Sequence, residues 1–415
     1  AVFAPLGNIG LIVMDEEQES TYKSESTPRY HARDIAKFRV NYNRAYCLLC
    51  SATPSVESYY MAQSGKYRYH ALHHRYGDAV VPTVQLVDMN NEDLYRGKPM
   101  ISMALARAVS ENIRAGRQSI LLLNRRGYHT YAVCKDCKTV AACPNCSISM
   151  TYHAANNRLM CHYCGHSEPA YVRCKACGGE LTFSGGGTQK AEDQLREAFP
   201  EARILRVDTD TTANKYALEK KLNAFANGEY DIMIGTQMVA KGLDFENVTL
   251  VGVLSADQSL YSDDYRSNER TFDLLTQVVG RAGRGRYRGM ALIQTHVPEN
   301  PYLHLAAAQD YESFFETEIR FRRAMLYPPF ADLLQIGFVG EKEDTVRAAA
   351  EHFSALLSAP FRRDYPNLPL RLLRASAASV SRMGGKYRYK IIMKYKNSKA
   401  FRDAIAMLLS AFSSD

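Results

Sequence analysis

Eight of the ten cysteines fall into four C-x-x-C pairs, Cys134/Cys137, Cys143/Cys146, Cys161/Cys164 and Cys174/Cys177. Two thiolates three residues apart on a tight turn can both point at one tetrahedral centre, so four pairs imply two structural zinc ions. The fourteen residues between the second and third pairs suit a single zinc ribbon. That favours the inner pairs sharing one ion and the outer pairs the other, with pairing in chain order as the alternative. Disulfides are the rival chemistry, and such regular spacing in a cytosolic chain argues against them. His153, His162 and His166 lie nearby, but eight thiolates already complete two sites, so these read as loop residues. Cys47 and Cys50 repeat the spacing inside an apolar strand with no second pair, and are expected in the core.

A second set of residues could act on phosphates. The stretch IGLIVMDEEQ ends an apolar run in Asp15, Glu16 and Glu17. A strand ending in acids can hold Mg²⁺ with the first carboxylate and orient an attacking water with the second; alone, it is also a common structural accident. Three further stretches change that balance. SATPS, Ser51 to Ser55, is a small hydroxyl-rich turn after the next strand. GTQMVAKGLDF, Gly235 to Phe245, offers backbone and hydroxyl donors to a phosphodiester. QVVGRAGRGR, Gln277 to Arg286, is expected to begin a helix with Arg281 and Arg284 on one face, able to reach a γ-phosphate. A phosphate loop needs Gly-Lys followed by Ser or Thr. The Gly-Lys pairs at Gly65, Gly97 and Gly385 are followed by Tyr67, Pro99 and Tyr387, so none qualifies.

The elements that must position these residues follow from hydrophobic periodicity. Met103 to Ala115 reads as a helix, and QSILLL as a buried strand. Strand and helix signals then alternate through ARILRVD, DIMIGTQ, VTLVGVLSAD and MALIQTHV, the rhythm of an α/β doubly wound parallel sheet. The cysteine stretch interrupts this rhythm and is an insertion. The expected division is 1–75, an α/β unit carrying the acids and SATPS; 76–131, a linker and the start of the second lobe; 132–180, the cysteine insertion; 181–300, the rest of that lobe; 301–330, a helical linker; and 331–415, a small α+β domain. LYPPF makes a stiff joint before the last of these.

At 415 residues several domains are expected. The formal charge of +8 is a mild pointer to a polyanionic partner. The absence of any membrane-length apolar window points to a cytoplasmic protein. Because the chain begins at Ala1 and reads at once as the middle of a domain, a fragment is expected.

In order, the four phosphate-related stretches resemble motifs II, III, V and VI of superfamily 2 helicases. With DEEQESTYKSESTPRYHARD, LLNRRGY, DYRSNERTFDLLTQVVGRAGR, YPPF and GGKYRYK added, the chain resembles the PriA (primosomal protein N′) family of replication-restart helicases along essentially its whole length. The resemblance implies RecA-like helicase lobes, the first incomplete, in an ATP-dependent 3′–5′ DNA helicase that uses Mg²⁺, recognises stalled forks and single-stranded DNA, and recruits primosome proteins and single-stranded DNA-binding protein. It implies that Asp15 serves the metal and Glu16 the water, that Arg281 and Arg284 are arginine fingers, and that Gln277 and Gly280 meet the nucleotide. It also implies that Thr236, Gln237, Lys241 and Gly242 hold the translocating strand. Tyr261, Tyr265 and Arg266 fall where the family has an aromatic-rich loop coupling nucleotide state to DNA. The zinc module would help separate strands and dock a primosome partner.

The family carries its phosphate loop upstream, so the fragment alone is expected not to hydrolyse ATP. Gln18 stands where the family usually has His, and is expected to tune coupling more than to abolish hydrolysis. As a strand, GGKYRYKIIMKYK would put Lys386, Arg388 and Lys390 on one face, a basic face able to track DNA phosphates, with Tyr387, Tyr389 and Ile391 on the other. An ordinary strand with tyrosines in the core is the alternative. A scaffold that docks forked DNA and partners without motor activity is the rival for the whole chain. A zinc-ribbon transcription factor is a distant third, since it would not need the motif series.

Overall fold

The computed structural model describes residues 2–412 apart from 25, 73–80, 124–130, 135, 138, 140, 146–149, 154–156, 162–165, 185–187, 209–214, 241–244, 261–263, 284–286 and 365–369. The chain opens with a small parallel pair: β1 (Leu11–Met14), helix α1 (Ala32–Asn43), β2 (Tyr46–Leu49) and α2 (Val56–Gln63). These two strands have no further partner among the described residues. One face is open, with Leu11, Val13, Tyr46 and Leu48 all exposed, while Met14 on the other is buried. Cys47, on the opposite face beside Ile12, and Cys50, just past the strand, are half-buried, not core residues as expected.

The main body is a six-stranded parallel sheet. Its strands and helices are β3 (Thr83–Asp88), α3 (Met103–Arg114), β4 (Gln118–Leu123), α4 (Thr188–Ala198), β10 (Ile204–Val207), α5 (Lys215–Ala226), β11 (Ile232–Gly235), β12 (Val248–Ser255), α6 (Asp257–Leu260), α7 (Ser267–Val279) and β13 (Met290–Thr295). Strands β5 to β9 lie within the cysteine insertion between β4 and α4: β5 (Tyr131–Cys134), β6 (Thr151–His153), β7 (Arg158–Met160), β8 (Ser167–Pro169) and β9 (Leu181–Ser184). The sheet order is β10-β11-β4-β12-β13-β3. Central strand β4 is buried along its whole length, as a strand covered on both faces must be.

One face of the sheet packs on α3 and α4 through Leu105, Val109, Leu195 and Phe199. The other packs on α7 through Phe272, Leu275 and Val279, and on α5 through Phe225. Burying each such side chain is worth about 1.5–3 kcal/mol. Helix α2 also belongs to that second face: Val56 and Tyr59 join the same cluster as β4, β12 and β13.

Two helices follow the sheet, α8 (Pro301–Ala308) and α9 (Tyr311–Met325), the latter started by Asp310, which accepts from the Ser313 amide at 3.0 Å. The C-terminal unit is an antiparallel sheet of β14 (Asp332–Gly340), β15 (Leu370–Leu372), β16 (Ser376–Met383) and β17 (Lys386–Tyr395), covered by α10 (Glu343–Asp364) and α11 (Lys399–Phe412). Strand β15 is an addition to the expected strand–helix–strand–strand–helix order; three residues give no period to read. The tip of the β16–β17 hairpin reaches the cysteine insertion, where Met383 packs on its apolar cluster and the Gly385 amide donates to the Asn145 carbonyl at 2.8 Å.

Candidate functional site

The outer cysteine pairs converge. Cys134, Cys137, Cys174 and Cys177 bring their sulfurs within 4.8 Å of one another, with Cys134 to Cys177 at 3.4 Å and Cys137 to Cys174 at 3.6 Å. A tetrahedral zinc with Zn–S bonds of about 2.3 Å requires sulfur separations just under ~4 Å, so the four thiols fit the ion. The turn is built for it. Gly178 has φ +77°, and a Cβ at Gly179 would run into the Asp136 carboxylate and approach Cys134 Sγ to 3.0 Å. The Gly178 amide donates to the Cys174 carbonyl and the Cys174 amide to the Gly179 carbonyl, closing the loop around the metal position. Of the inner pairs, Cys143 and Cys161 are buried, while Cys146 and Cys164 lie outside the described residues.

The acids after β1 divide their work. Asp15 is exposed and its Oδ1 accepts from the Glu16 amide at 3.0 Å. Glu16 has φ +47°, a conformation that costs a non-glycine residue roughly 1–3 kcal/mol and is usually held in place by its surroundings. Here Gln18 Nε2 donates to Glu16 Oε2 at 2.8 Å, Ser51 Oγ donates to Gln18 Oε1 at 2.6 Å, and Ser51 Oγ accepts from the Thr53 amide at 2.9 Å. Gln18 therefore wires the second acid to the SATPS turn, using the donor and acceptor ends of one side chain.

Glu17, whose position in the motif carries no sequence signal of its own, is the buried member. Its Oε1 accepts from the Ser55 amide at 2.7 Å, and its Oε2 pairs with Arg33 at 2.8 Å and accepts from Ser58 Oγ at 3.1 Å. It anchors the motif from within, while Asp15 stays exposed and Glu16 is held by Gln18.

Helix α7 faces this turn across a cleft lined by Glu17, Gln18, Arg33, Glu57, Arg266, Glu269 and Asp273. The Val56 amide donates to Glu269 Oε1 at 2.8 Å. Asp273, one turn before Gln277, has its Oδ1 sealed from solvent without a partner. Burial first, and the negative charge of Glu269 second, hold its carboxyl well above the usual range, with Thr53 pulling the other way. Burial alone would raise Glu57, but Arg266 and Arg322 outweigh it and hold its pKa at about 2.

The structure corrects the placement of the arginines after Gln277. The glycine-rich stretch does not begin a helix; α7 ends at Val279, Gly280 is its C-cap, and Arg281 sits in the following turn, its amide donating to the Val278 carbonyl. Gly283, at φ +72°, ends it: a Cβ there would collide with the Gly289 backbone. Arg284 lies outside the described residues, as do Lys241, Gly242 and Tyr261. Thr236 and Gln237 follow β11 at the carboxyl edge of the sheet.

Tyr265 and Arg266 are engaged within the chain. Arg266 pairs with Glu57 at 2.6 Å, and Tyr265 stacks on Tyr327 with ring centroids 5.0 Å apart. On β17, Lys386 is exposed; Arg388 is half-buried and donates to Met383 Sδ at 3.8 Å. Ile391 and Met393 are core, as the alternation requires. The face that was to track DNA is closed at its far end, where Lys394 is buried beneath α9 and donates to the Met325 carbonyl.

Comparison with known proteins bears on what this arrangement is. Three family profiles match: the PriA DNA helicase Cys-rich region domain at residues 143–169, the helicase conserved C-terminal domain at 181–286, and the primosomal protein N C-terminal domain at 323–414. The replication restart protein PriA of Bacillus subtilis is 44% identical over 413 residues, covering 99% of this chain and 51% of that protein. PriA of Chlamydia trachomatis is 38% identical, covering 98% of this chain and 54% of its own. The solved structure of RecG bound to a three-way DNA junction aligns over 75% of this chain and 30% of that one at 13% identity and a TM-score of 0.40, which is too loose to inform detail.

The doubly wound lobe is of the helicase C-terminal class, and it carries an inserted cysteine module that fits zinc. This chain belongs to the PriA family of replication restart proteins. The chain spans about half the length of the curated relatives it matches. None of the described helices is long and apolar enough to cross a membrane.

Proposed function

We propose that the chain is the motor-bearing half of an ATP-dependent 3′–5′ DNA helicase that acts at stalled or forked DNA and starts primosome assembly in the cytoplasm. The observation that carries this is the run Glu16–Gln18–Ser51–Thr53, which ties the acid motif to the SATPS turn beside α7. Such wiring serves a site where a carboxylate must be positioned against a nucleotide and its state reported to the neighbouring lobe. In this reading Asp15 holds Mg²⁺, Glu16 orients the water, Gln277 and Gly280 meet the phosphates, and Arg281 and Arg284 stabilise transferred charge. Thr236, Gln237, Lys241, Gly242 and Tyr261 follow the strand, joined by Lys386 and Arg388. Two structural zinc ions shape the insertion, whose partners include primosome proteins and single-stranded DNA-binding protein.

No Gly-Lys pair in the chain is followed by Ser or Thr, so the chain by itself does not turn over ATP. The test is DNA-stimulated ATP hydrolysis on a forked substrate by this chain, by the full-length protein, and by full-length Glu16→Gln. Turnover by the full-length wild type alone is expected. Turnover by none of the three would replace the motor with a zinc-containing scaffold that binds DNA and partners.

A further inference from the structure

Arg322 is wholly buried and pairs with one carboxylate from each of three parts of the molecule: Glu57 of α2 at 3.2 Å, Glu269 of α7 at 2.8 Å and Glu318 of its own α9 at 2.9 Å. Contacts continue in both directions. Toward the nucleotide side, Glu269 accepts from the Val56 amide, and the adjoining Ser55 amide donates to Glu17, the neighbour of Glu16. Toward the C-terminal unit, the Arg322 guanidinium lies 5.2 Å over the ring of Tyr265, Tyr265 stacks on Tyr327, and Lys394 of β17 sits 3.8 Å over Tyr327. The series runs without a gap from the acid motif to the strand that also carries Lys386 and Arg388.

We infer that Arg322 is a positioning residue, and that this chain of contacts couples the C-terminal sheet to the SATPS turn, so that displacement of β17 alters the hold of α7 on α2. The geometry allows little slack. A guanidinium fork shared by three carboxylates has few alternative arrangements, and packed aromatic and ionic contacts tend to switch between discrete states and resist continuous deformation. Packed apolar groups often replace a buried ion pair with no loss of stability, so stability alone does not account for this cluster. Lys394 is the remote end, and it meets the network through its contacts with Tyr327 and the Met325 carbonyl.

The functional half of this inference rests on the motor reading, and the structural half does not. The experiment therefore has two readouts. Amide hydrogen exchange at Val56 and along α2 is measured in this chain as wild type, Lys394→Met and Arg322→Lys. The expected result is exchange about fivefold or more faster at Val56 in both variants, a typical coupling magnitude, with β4 and β12 unchanged. DNA-stimulated and DNA-free ATP hydrolysis are then compared in the full-length protein; Lys394→Met is expected to lower the stimulation several-fold and leave the DNA-free rate alone. Unchanged exchange at Val56 in Lys394→Met overturns the inference whatever the ATPase shows, and unchanged DNA stimulation overturns its functional half. Absence of hydrolysis in the full-length wild type removes the motor reading instead, and the exchange result still decides the coupling. If Arg322→Lys does not fold, Lys394→Met, which keeps the side-chain stem in its groove, still carries the test.

Discussion

Single side chains in this cleft are placed more by charge than by packing. Gln18 shows what an amide can do here: it has both donors and an acceptor, which is what bridging Glu16 and Ser51 requires. Asp273 presents the opposite case, a carboxyl without enough partners. Its pKa in the fold is raised, from burial and then from Glu269, so the fold keeps a proton that the unfolded chain has already released. Its contribution to stability is therefore fullest below its ordinary value of 3.8 and is lost as pH rises through the raised value. Asn in its place cannot ionise. The Tm of Asp273→Asn relative to wild type should climb as pH is raised from about 4 to about 8. Parallel Tm profiles would mean that the carboxyl is ionised throughout and that its surroundings are less enclosed than the structure shows.

At the scale of elements, zinc has consequences beyond its own module. The insertion's apolar cluster contains four cysteines and few large side chains, so its order depends on the metal, which supplies on the order of 10 kcal/mol per structural site. The β16–β17 hairpin leans on that cluster through Met383 and on the Asn145 carbonyl through the Gly385 amide. Stripping the metal with a chelator should therefore loosen a hairpin distant in sequence from the nearest ligand. Trypsin is the simple probe: Arg382 and Lys386 flank the hairpin tip, and cleavage there should rise at least several-fold on chelation and fall again when zinc is restored, while cleavage within the six-stranded sheet stays constant. Cleavage at the tip that ignores chelation would show that the C-terminal sheet holds the hairpin unaided.

Across the whole molecule, the legible parts were those whose information is local. β4, β10, β11, β12 and β13 announced themselves as short apolar runs between turn signals, and the outer cysteine pairs converge as nested pairing requires. The charge network around Arg322 was not legible, because Glu57, Arg266, Glu269 and Arg322 are brought together only by the fold and each alone reads as a surface residue. The helix expected through Arg281 does not form because Gly280 caps α7 and Gly283, at φ +72°, takes a conformation a helix cannot continue through. Within residues 1–75, expected as one unit, the two strands and α2 pack in different surroundings. β1 and β2 form a two-stranded sheet with one open face, an arrangement that is marginal alone. Helix α2 shares its core with β4, β12 and β13 and is fastened by the Val56 amide to Glu269. Local stability should follow burial and hydrogen bonding, not chain order. Amides of β1 and β2 should exchange at least an order of magnitude faster than those of α2, although only six residues separate β2 from α2. A shared rate across both would mean that the Glu17–Arg33–Ser55 contacts alone bind the small sheet into the cooperative core, and the boundary would then lie before Leu11, not after Leu49.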